Sequence, residues 1–494
     1  MANRALDYHL AALPPEARHQ IYPLLWRIST PTIERILQND PDVMAEASKD
    51  FRKFNEILVS LGRKPIFSDP GDPHGCALEQ IELTRLRPDQ ELYDLFGCTP
   101  DEYVQGGITM DYPVIPREEY PHRWQKVQTI LKEQNLDLIL AYADDRATYG
   151  TAYGRYFADL PVHFENVLIL FARDREPMLL VGPETDGYAQ LRSTIRDIRV
   201  LAEFSAEEED YPFSTVVPLA EIIAHMPAKR IGLAAKVHMS ATLYEAILRA
   251  LPDAEFANVD TFMHEIRGIK TPAEIEVIRY AYHIADLGME AAIRAIRPGV
   301  TEREVAAEAE YAMRKAGCEG YGIDTMVASG VNTDHIIART TMRKIEENDV
   351  VCVTLAPRYE GYHGACARTI VVGDPGEKFL KALDASIFAQ RTCMENLNVG
   401  NIGSEVEKMG RDIMEKAGYG KNFMYSGLHS VGVTEFEPPI LGPSSNTVIQ
   451  NNMVISVDIP LYEADIHGFR TESGYLIQGG VAHSLTKVPY LIRK

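Results

Sequence analysis

Two carboxylates lie inside apolar, strand-like runs near the end of the sequence. Asp458 falls within residues 456–460, and Glu472 directly follows Arg470 and Thr471. A carboxylate in an apolar strand is costly unless it is paired or coordinates a cation. Asp458 and Glu472 are therefore the best site candidates outside the histidines, although a solvated edge strand would also accommodate them.

An internal repeat spans the segment that carries these residues. With an offset of 101 residues, the repeat matches Gly299 with Gly400, Val305 with Val406 and Gly317 with Gly418. A single duplication of about a hundred residues predicts two α+β halves packed about a pseudo-two-fold axis. A pocket between them would be lined by equivalent positions from each half. In the first half, Thr354 corresponds to Asp458, and Ala365 corresponds approximately to Glu472.

The chain divides into three segments on its sequence pattern. Residues 1–112 combine helical patterns at 32–37 and 51–58 with Pro- and Gly-rich loops and carry no chemical motif, which predicts a helical extension packed on the body or on a partner subunit. Residues 113–262 alternate strands with helices, which predicts an α/β domain. Residues 263–494 contain the duplication and form the predicted catalytic domain.

Local signals define several elements of the last two segments. The apolar runs 166–171 and 177–181 predict a β-hairpin. Thr271 and Thr301 each precede a Glu by three residues, which predicts two helices that begin with capping boxes. Gly317 should end the second of these helices in a left-handed conformation.

Composition limits the class of protein and its partners. Of 494 residues, 46% are hydrophobic, which excludes a disordered or fibrous chain. The net charge of −21 argues against nucleic acid and membrane surfaces as partners. The six cysteines form no CxxC pair, and no secretory signal or ~20-residue apolar span is present. We therefore expect a cytoplasmic protein with reduced thiols.

Residues 113–494 resemble the pita-bread superfamily of methionine aminopeptidases, proline-specific peptidases and creatinase. The resemblance rests on residues 266–275, 329–332, 361–369, 427–432 and 470–472, together with Asp458. It implies a creatinase-like N-terminal α/β domain, a C-terminal pita-bread domain and a homodimer. It also implies that residues 153–157 form a loop that contacts substrate from the second subunit.

The metal ligands of the peptidases are incomplete in this sequence. Peptidase members bind two metal ions through two Asp, one His and two Glu, and these positions fall on Thr354, Ala365, His429, Asp458 and Glu472. A second peptidase histidine falls on Phe436. Because a two-metal clamp needs carboxylates to hold both ions, the changes at Thr354 and Ala365 argue against a dinuclear peptidase.

Creatinase is the metal-free branch of the superfamily, and this sequence resembles it at the altered metal positions. Creatinase hydrolyses a C–N bond of a small guanidino acid by histidine acid–base chemistry. Its catalytic histidine corresponds to Ile337, while His335 lies two residues earlier. Its guanidinium-binding glutamate corresponds to Ala367, so creatine itself is not the expected substrate. His335 or His363 would have to take over the proton transfer.

The resemblance and the residue chemistry together predict a set of site residues. A neutral imidazole can take a proton from water and return it to a leaving group. The predicted catalytic residues are His335, His429 and Glu472. The predicted substrate-binding residues are Asp458, His363, Arg339, Arg470 and Arg155, since the arginines could bind a carboxylate in a forked contact.

Three functional hypotheses follow. The first is a metal-independent, creatinase-like enzyme that cleaves a C–N bond of a small polar metabolite by hydrolysis or a related lyase step, without a cofactor. The second is a lyase or hydrolase with one transition-metal ion at His429, Asp458 and Glu472. The third is a non-catalytic, peptidase-like binding domain, against which the retained carboxylates argue.

Overall fold

The computed structural model of the chain describes most of the sequence from residue 112 onward and parts of the sequence before it. The described residues are 36, 40–60, 65, 67–73, 75–77, 112–144, 152–206, 210–226 and 228–494. They form two compact units. One comprises Met1–Tyr112, Ile370–Gly373 and Lys487–Lys494, and the other comprises Pro113–Thr369 and Asp374–Thr486.

The first unit contains one long described helix, α1 (Pro41–Ser60). It includes the predicted helical run 51–58. Its buried face is aromatic, and the ring of Phe51 lies 4.5 Å from that of Phe67 between centroids. The helix predicted at 32–37 lies outside the described residues, apart from Ile36. The role of the extension stays a prediction.

The α/β domain of the second unit is built on a mixed seven-stranded sheet. Its elements are α2 (Glu119–Glu133), β1 (Leu138–Ala143), α3 (Tyr153–Ala158), β2 (Val167–Ala172), β3 (Met178–Val181), α4 (Asp186–Arg192), β4 (Asp197–Leu201), β5 (Val216–Val217), α5 (Leu219–Ile223), β6 (Arg230–Ala234), α6 (Ala241–Ala250), β7 (Glu255–Asn258) and α7 (Asp260–Gly268). The strand order is β5-β4-β3-β2-β1-β6-β7. Strands β2 and β3 pair antiparallel, which confirms the predicted hairpin. All six residues of β1 are buried, as expected for a central strand.

The pita-bread domain follows the α/β domain in the chain. Its elements are α8 (Pro272–Ala295), α9 (Glu302–Lys315), β8 (Gly320–Tyr321), β9 (Met326–Ser329), β10 (Val350–Leu355), β11 (Pro357–Tyr359), β12 (Tyr362–His363), β13 (Cys366–Val371), α10 (Glu377–Asn396), α11 (Gly403–Lys416), β14 (Leu428–Ser430), β15 (Glu437–Ile440), β16 (Val454–Leu461), β17 (Phe469–Gln478), β18 (Val481–Ser484) and β19 (Leu491–Arg493). Capping boxes at Thr271 and Thr301 begin α8 and α9, as predicted. Gly317 follows α9 with a φ of +102°, so its predicted left-handed conformation is also confirmed.

The duplication is visible in the backbone. Gly299 and Gly400 have φ of +89° and +95°. The amide of Gly299 donates to the carbonyl of Ile345 at 2.8 Å, and that of Gly400 donates to Ile449 at 3.0 Å. Because equivalent turns close with equivalent hydrogen bonds, the repeat in the sequence corresponds to two related α+β halves.

The large sheet of this domain positions the candidate site residues. Its central path runs β15-β14-β16-β17-β13-β10-β9. Asp458 on β16 lies directly opposite Glu472 on β17, and His429 on β14 lies opposite Ser456 on β16. Three neighbouring strands therefore bring two carboxylates and an imidazole together. Among the residues that the structure describes, no helix has the length and apolar character needed to cross a bilayer.

Candidate active site

His429 presents one ring nitrogen to the site. Its Nδ1 lies 3.0 Å from the carbonyl oxygen of Ser430, which fixes the tautomer with Nδ1 as donor. Nε2 then carries the free lone pair. Burial lowers the pKa of His429 to about 4, so the imidazole is neutral at pH 7. A β-bulge between His429 and Ser430 and stacking on Phe436 at 4.2 Å orient the ring.

Glu472 is buried beside His429. Its Oε1 accepts a hydrogen bond from Ser456 Oγ at 2.8 Å and lies 3.9 Å from His429 Nε2. The guanidinium of Arg368 holds the same strand by donating to Ser473 Oγ at 3.0 Å and to the carbonyl of Glu472. Burial raises the pKa of the Glu472 carboxyl. This residue is therefore fixed in place with one carboxylate oxygen facing the imidazole.

Asp458 is held on one side only. Its Oδ2 accepts a hydrogen bond from Tyr425 Oη at 2.5 Å and lies 3.3 Å from Arg470 Nε, which also donates to Tyr462 Oη at 3.0 Å. Its Oδ1 is buried without a hydrogen-bond partner among the described residues. Burial raises the pKa of Asp458 to about 7, although the charge of Arg470 opposes that rise. The buried, unsatisfied oxygen indicates that Asp458 has a further partner in the working protein.

Glu435 is a site residue that the sequence prediction missed. Its side chain is 8% exposed, and it makes no hydrogen bond or ion pair with any described residue. Burial and the charge of Glu472 raise the pKa of Glu435 to about 8. Ligand atoms of His429, Glu435 and Glu472 all lie within 4.8 Å of one another. The available signal was a carboxylate immediately before Phe436, at the end of the turn that begins with His429.

Glu437 anchors the segment that carries Glu435. Its Oε1 accepts a hydrogen bond from Lys270 Nζ at 2.6 Å, and its Oε2 lies 3.4 Å from Arg267 Nη2. Burial alone would raise the pKa of Glu437, but the charges of Lys270 and Arg267 bring it below its ordinary value. The two neighbouring carboxylates thus differ, since Glu437 pairs with two cations and Glu435 has no ion-pair partner among the described residues.

Two of the predicted site residues lie on the surface. His335 is exposed, directly after a short 3₁₀ turn at Gly330–Asp334. Arg339 is 74% exposed along its side chain and forms an ion pair with Asp324. Arg470 donates to the carbonyl of Ile336 at 3.4 Å, so this segment contacts the site through its backbone. The structure does not bring the side chains of His335 and Arg339 into the cluster.

His363 and Arg155 are buried. His363 Nδ1 lies 3.2 Å from the carbonyl of Gly432, and burial lowers its pKa to about 3. A Cβ added at Gly322 would meet both His363 and Glu435, so His363 packs beside the cluster. The segment expected to be a loop at 153–157 is instead helix α3, in which Arg155 forms ion pairs with Asp159 and Glu360.

Comparisons with known proteins identify the family. Residues 276–479 match metallopeptidase family M24, and residues 123–269 match the creatinase/prolidase N-terminal domain. The Xaa-Pro dipeptidase of Pyrococcus furiosus is 36% identical over 233 residues, which cover 47% of this chain and 67% of that protein. The chain belongs to metallopeptidase family M24.

Other M24 relatives support the fold over a longer stretch. The Xaa-Pro dipeptidase of Lactobacillus delbrueckii subsp. lactis is 26% identical over 359 residues, covering 72% of this chain and 94% of that protein. The crystal structure of the prolidase from Pyrococcus horikoshii OT3 aligns with a TM-score of 0.65 and 26% identity, covering 75% of this chain and 99% of that chain. The predicted superfamily and its two-domain α/β and pita-bread fold are therefore confirmed.

The prediction of a metal-independent, creatinase-like enzyme without a cofactor is wrong. The M24 family is one of metallopeptidases, and the relatives above are named Xaa-Pro dipeptidases. The prediction gave decisive weight to the missing carboxylates at Thr354 and Ala365. It overlooked Glu435, which adds a carboxylate to the same site from the turn that begins with His429.

The residues present fit one metal ion and do not fit two. His429, Glu435 and Glu472 converge with an open imidazole nitrogen and two buried carboxylates, which are ligand types that divalent transition metals accept. Thr354 and Ala365 are buried and offer no carboxylate for a second ion. The ligand set predicted for one metal also changes, because Glu435 rather than Asp458 completes the cluster.

Proposed function

We propose that this chain is a metal-dependent hydrolase that cleaves the amide bond of a small dipeptide, with Xaa-Pro dipeptides as the first substrate class. The observation that carries the proposal is the convergence of His429 Nε2 with the carboxylates of Glu435 and Glu472 in a buried site. The M24 family and its relatives named Xaa-Pro dipeptidase support the choice of substrate.

Some residues of the site would bind a cation, and another would accept a proton. A divalent ion, when bound, would polarise the scissile carbonyl and lower the pKa of the attacking water. Neutral His429 and the carboxylates of Glu435 and Glu472 supply its ligands. Asp458 Oδ1, which has no partner among the described residues, is placed to accept a proton. Arg470, held by Tyr462, keeps the other oxygen of Asp458 in position.

The experiment measures proline release from Ala-Pro and Leu-Pro by protein that has been stripped with a chelator and then given Mn²⁺, Zn²⁺ or Co²⁺. We expect hydrolysis to depend on the added metal and to be lost in Glu472→Gln. The matched control is Asp324→Asn, which neutralises an exposed carboxylate that is paired with Arg339. Absence of dipeptide hydrolysis with every metal, in protein that is folded, would overturn the proposal.

The predictions of assembly and location rest on the sequence. The resemblance supports a homodimer, for which light scattering should give twice the 55.3 kDa chain mass. A monomer at working concentration would contradict it. The division at residues 112 and 262, the cytoplasmic location and the roles of His335, His363, Arg339 and Arg155 stay predictions.

A further inference from the structure

We infer that the site binds one divalent cation through His429, Glu435 and Glu472, and that Arg470 keeps Asp458 off this ion. The inference rests on the proposed metal-dependent function and deepens it by naming the ligands and the number of ions. Glu435 takes part in place of the first-half carboxylates that the sequence lacks at Thr354 and Ala365.

The geometry of the three ligands is close to that of a formed site. Their ligand atoms lie within 4.8 Å of one another. Metal–ligand bonds of about 2.1 Å at tetrahedral angles separate ligand atoms by about 3.4 Å. Small rotations of the two glutamate side chains close the difference. The Nδ1 hydrogen bond to the Ser430 carbonyl already fixes the imidazole in the tautomer that a metal requires.

The charge balance of the site supports the same conclusion. The buried carboxylates of Glu435, Asp458 and Glu472 outnumber the guanidinium groups described beside them. Arg470 pairs with Asp458, and Arg368 donates to the carbonyl of Glu472 and to Ser473 Oγ. Buried charges are stable only when they are paired or coordinate a metal. Glu435 is more than nine-tenths buried and has no hydrogen-bond or ion-pair partner among the described residues. A divalent cation at the cluster would compensate both glutamates at once.

Asp458 is already engaged by other groups. Its Oδ2 contacts Tyr425 Oη and Arg470 Nε, and Arg470 is itself tied to Tyr462 and to the backbone of Ile336. Arg470 therefore supplies a fixed positive charge to the Oδ2 side of Asp458. A three-residue set of one nitrogen and two oxygens leaves coordination positions open for water and substrate, as in catalytic zinc sites.

The test measures metal binding directly. Protein stripped with a chelator is titrated with Zn²⁺ in competition with a chromogenic chelator, and bound metal is counted by mass spectrometry after dialysis. We expect one ion per chain, a loss of affinity of about 100-fold or more in Glu435→Gln, and a change within about 5-fold in Asp458→Asn. The unfolding transition of each variant shows whether it is folded.

Three results would overturn the inference: two ions per chain, no ion, or unchanged affinity in a folded Glu435→Gln protein. A larger loss in Asp458→Asn than in Glu435→Gln would also overturn it. The outcome is separable from that of the proposed function. One bound ion without dipeptide hydrolysis would refute the proposed function and support the ligand set. Hydrolysis by a chain that holds two ions would support the proposed function and refute the ligand set.

Discussion

The carboxylates of Glu435 and Glu437 lie two residues apart, and the same substitution should change stability in opposite directions at the two positions. Glu437 pairs with Lys270 and Arg267, whereas Glu435 has no such partner among the described residues. Glu435→Gln removes a buried carboxyl that has no ion-pair partner among the described residues and should stabilise the metal-free protein. Glu437→Gln leaves two buried cations without their carboxylate and should destabilise it.

The magnitude follows from the pKa of Glu435, which burial raises from 4.5 to about 8. A carboxyl whose pKa rises on folding stabilises the folded state less and less as the pH increases from 4.5 through 8. At about 1.4 kcal/mol per pH unit, the penalty at pH 7 is about 3 kcal/mol. Because the amide of Gln also loses hydration on burial, we expect a net gain of about 1–3 kcal/mol. Glu437→Gln should cost about 3–5 kcal/mol.

Thermal unfolding in chelator and in excess Zn²⁺ measures both effects. In chelator at pH 7, Glu435→Gln should melt a few degrees above the wild-type protein, at about 2 °C per kcal/mol for a unit of this size. This gain should shrink as the pH falls toward 4.5. Zn²⁺ at a hundred times its Kd should stabilise the wild type by about 2.7 kcal/mol and the variant by much less. Glu437→Gln should melt lower in both conditions.

The reasoning is refuted if Glu435→Gln lowers the melting temperature in chelator as Glu437→Gln does. The reasoning is also refuted if Zn²⁺ stabilises Glu435→Gln as much as it stabilises the wild type, because Glu435 would then make no contact with the ion.

Three further tests concern the surroundings of the site. Burial holds the pKa of His363 at about 3. Because of this group, the free energy of unfolding of the wild type should fall by up to about 1.4 kcal/mol per pH unit below 6.5. The melting temperature of His363→Gln should therefore depend less on pH between 7 and 5. A Cβ at Gly427 would lie 1.8 Å from a backbone oxygen of β16. Gly427→Ala should therefore cost about 3 kcal/mol in thermal unfolding and weaken Zn²⁺ binding. Gly187→Ala is the control, because open space surrounds Gly187, and it should do neither. Thr354→Asp combined with Ala365→Asp should raise the bound metal from one ion per chain toward two, and an unchanged count would show that other residues limit the second site.

Features defined by short-range spacing were predictable from the sequence. The capping boxes at Thr271 and Thr301 need only a Thr and a Glu three residues apart, and both helices begin there. Asp458 and Glu472 stood out as site candidates because each lies in an apolar strand, and the structure places these two residues opposite each other. These interactions are set by the period of a helix or a strand, which the sequence displays directly.

Features that depend on the path of a turn were not predictable. Glu435 enters the site because the segment after His429 folds back to Glu437, where Lys270 and Arg267 fix it. His335 lies two residues from the position that the resemblance favoured, yet its side chain is exposed. The sequence also emphasised two absent carboxylates, while the only local signal for Glu435 was its place directly before Phe436, outside the family pattern.

The most direct test of the account measures hydrolysis and bound metal in the same samples. Stripped protein is reconstituted with zero to three equivalents of Mn²⁺ or Zn²⁺, and Ala-Pro hydrolysis is recorded beside the number of ions bound. The account predicts that hydrolysis rises in proportion to bound metal and reaches its maximum at one ion per chain. Full hydrolysis in the stripped protein, or hydrolysis that begins only when a second ion binds, would contradict it.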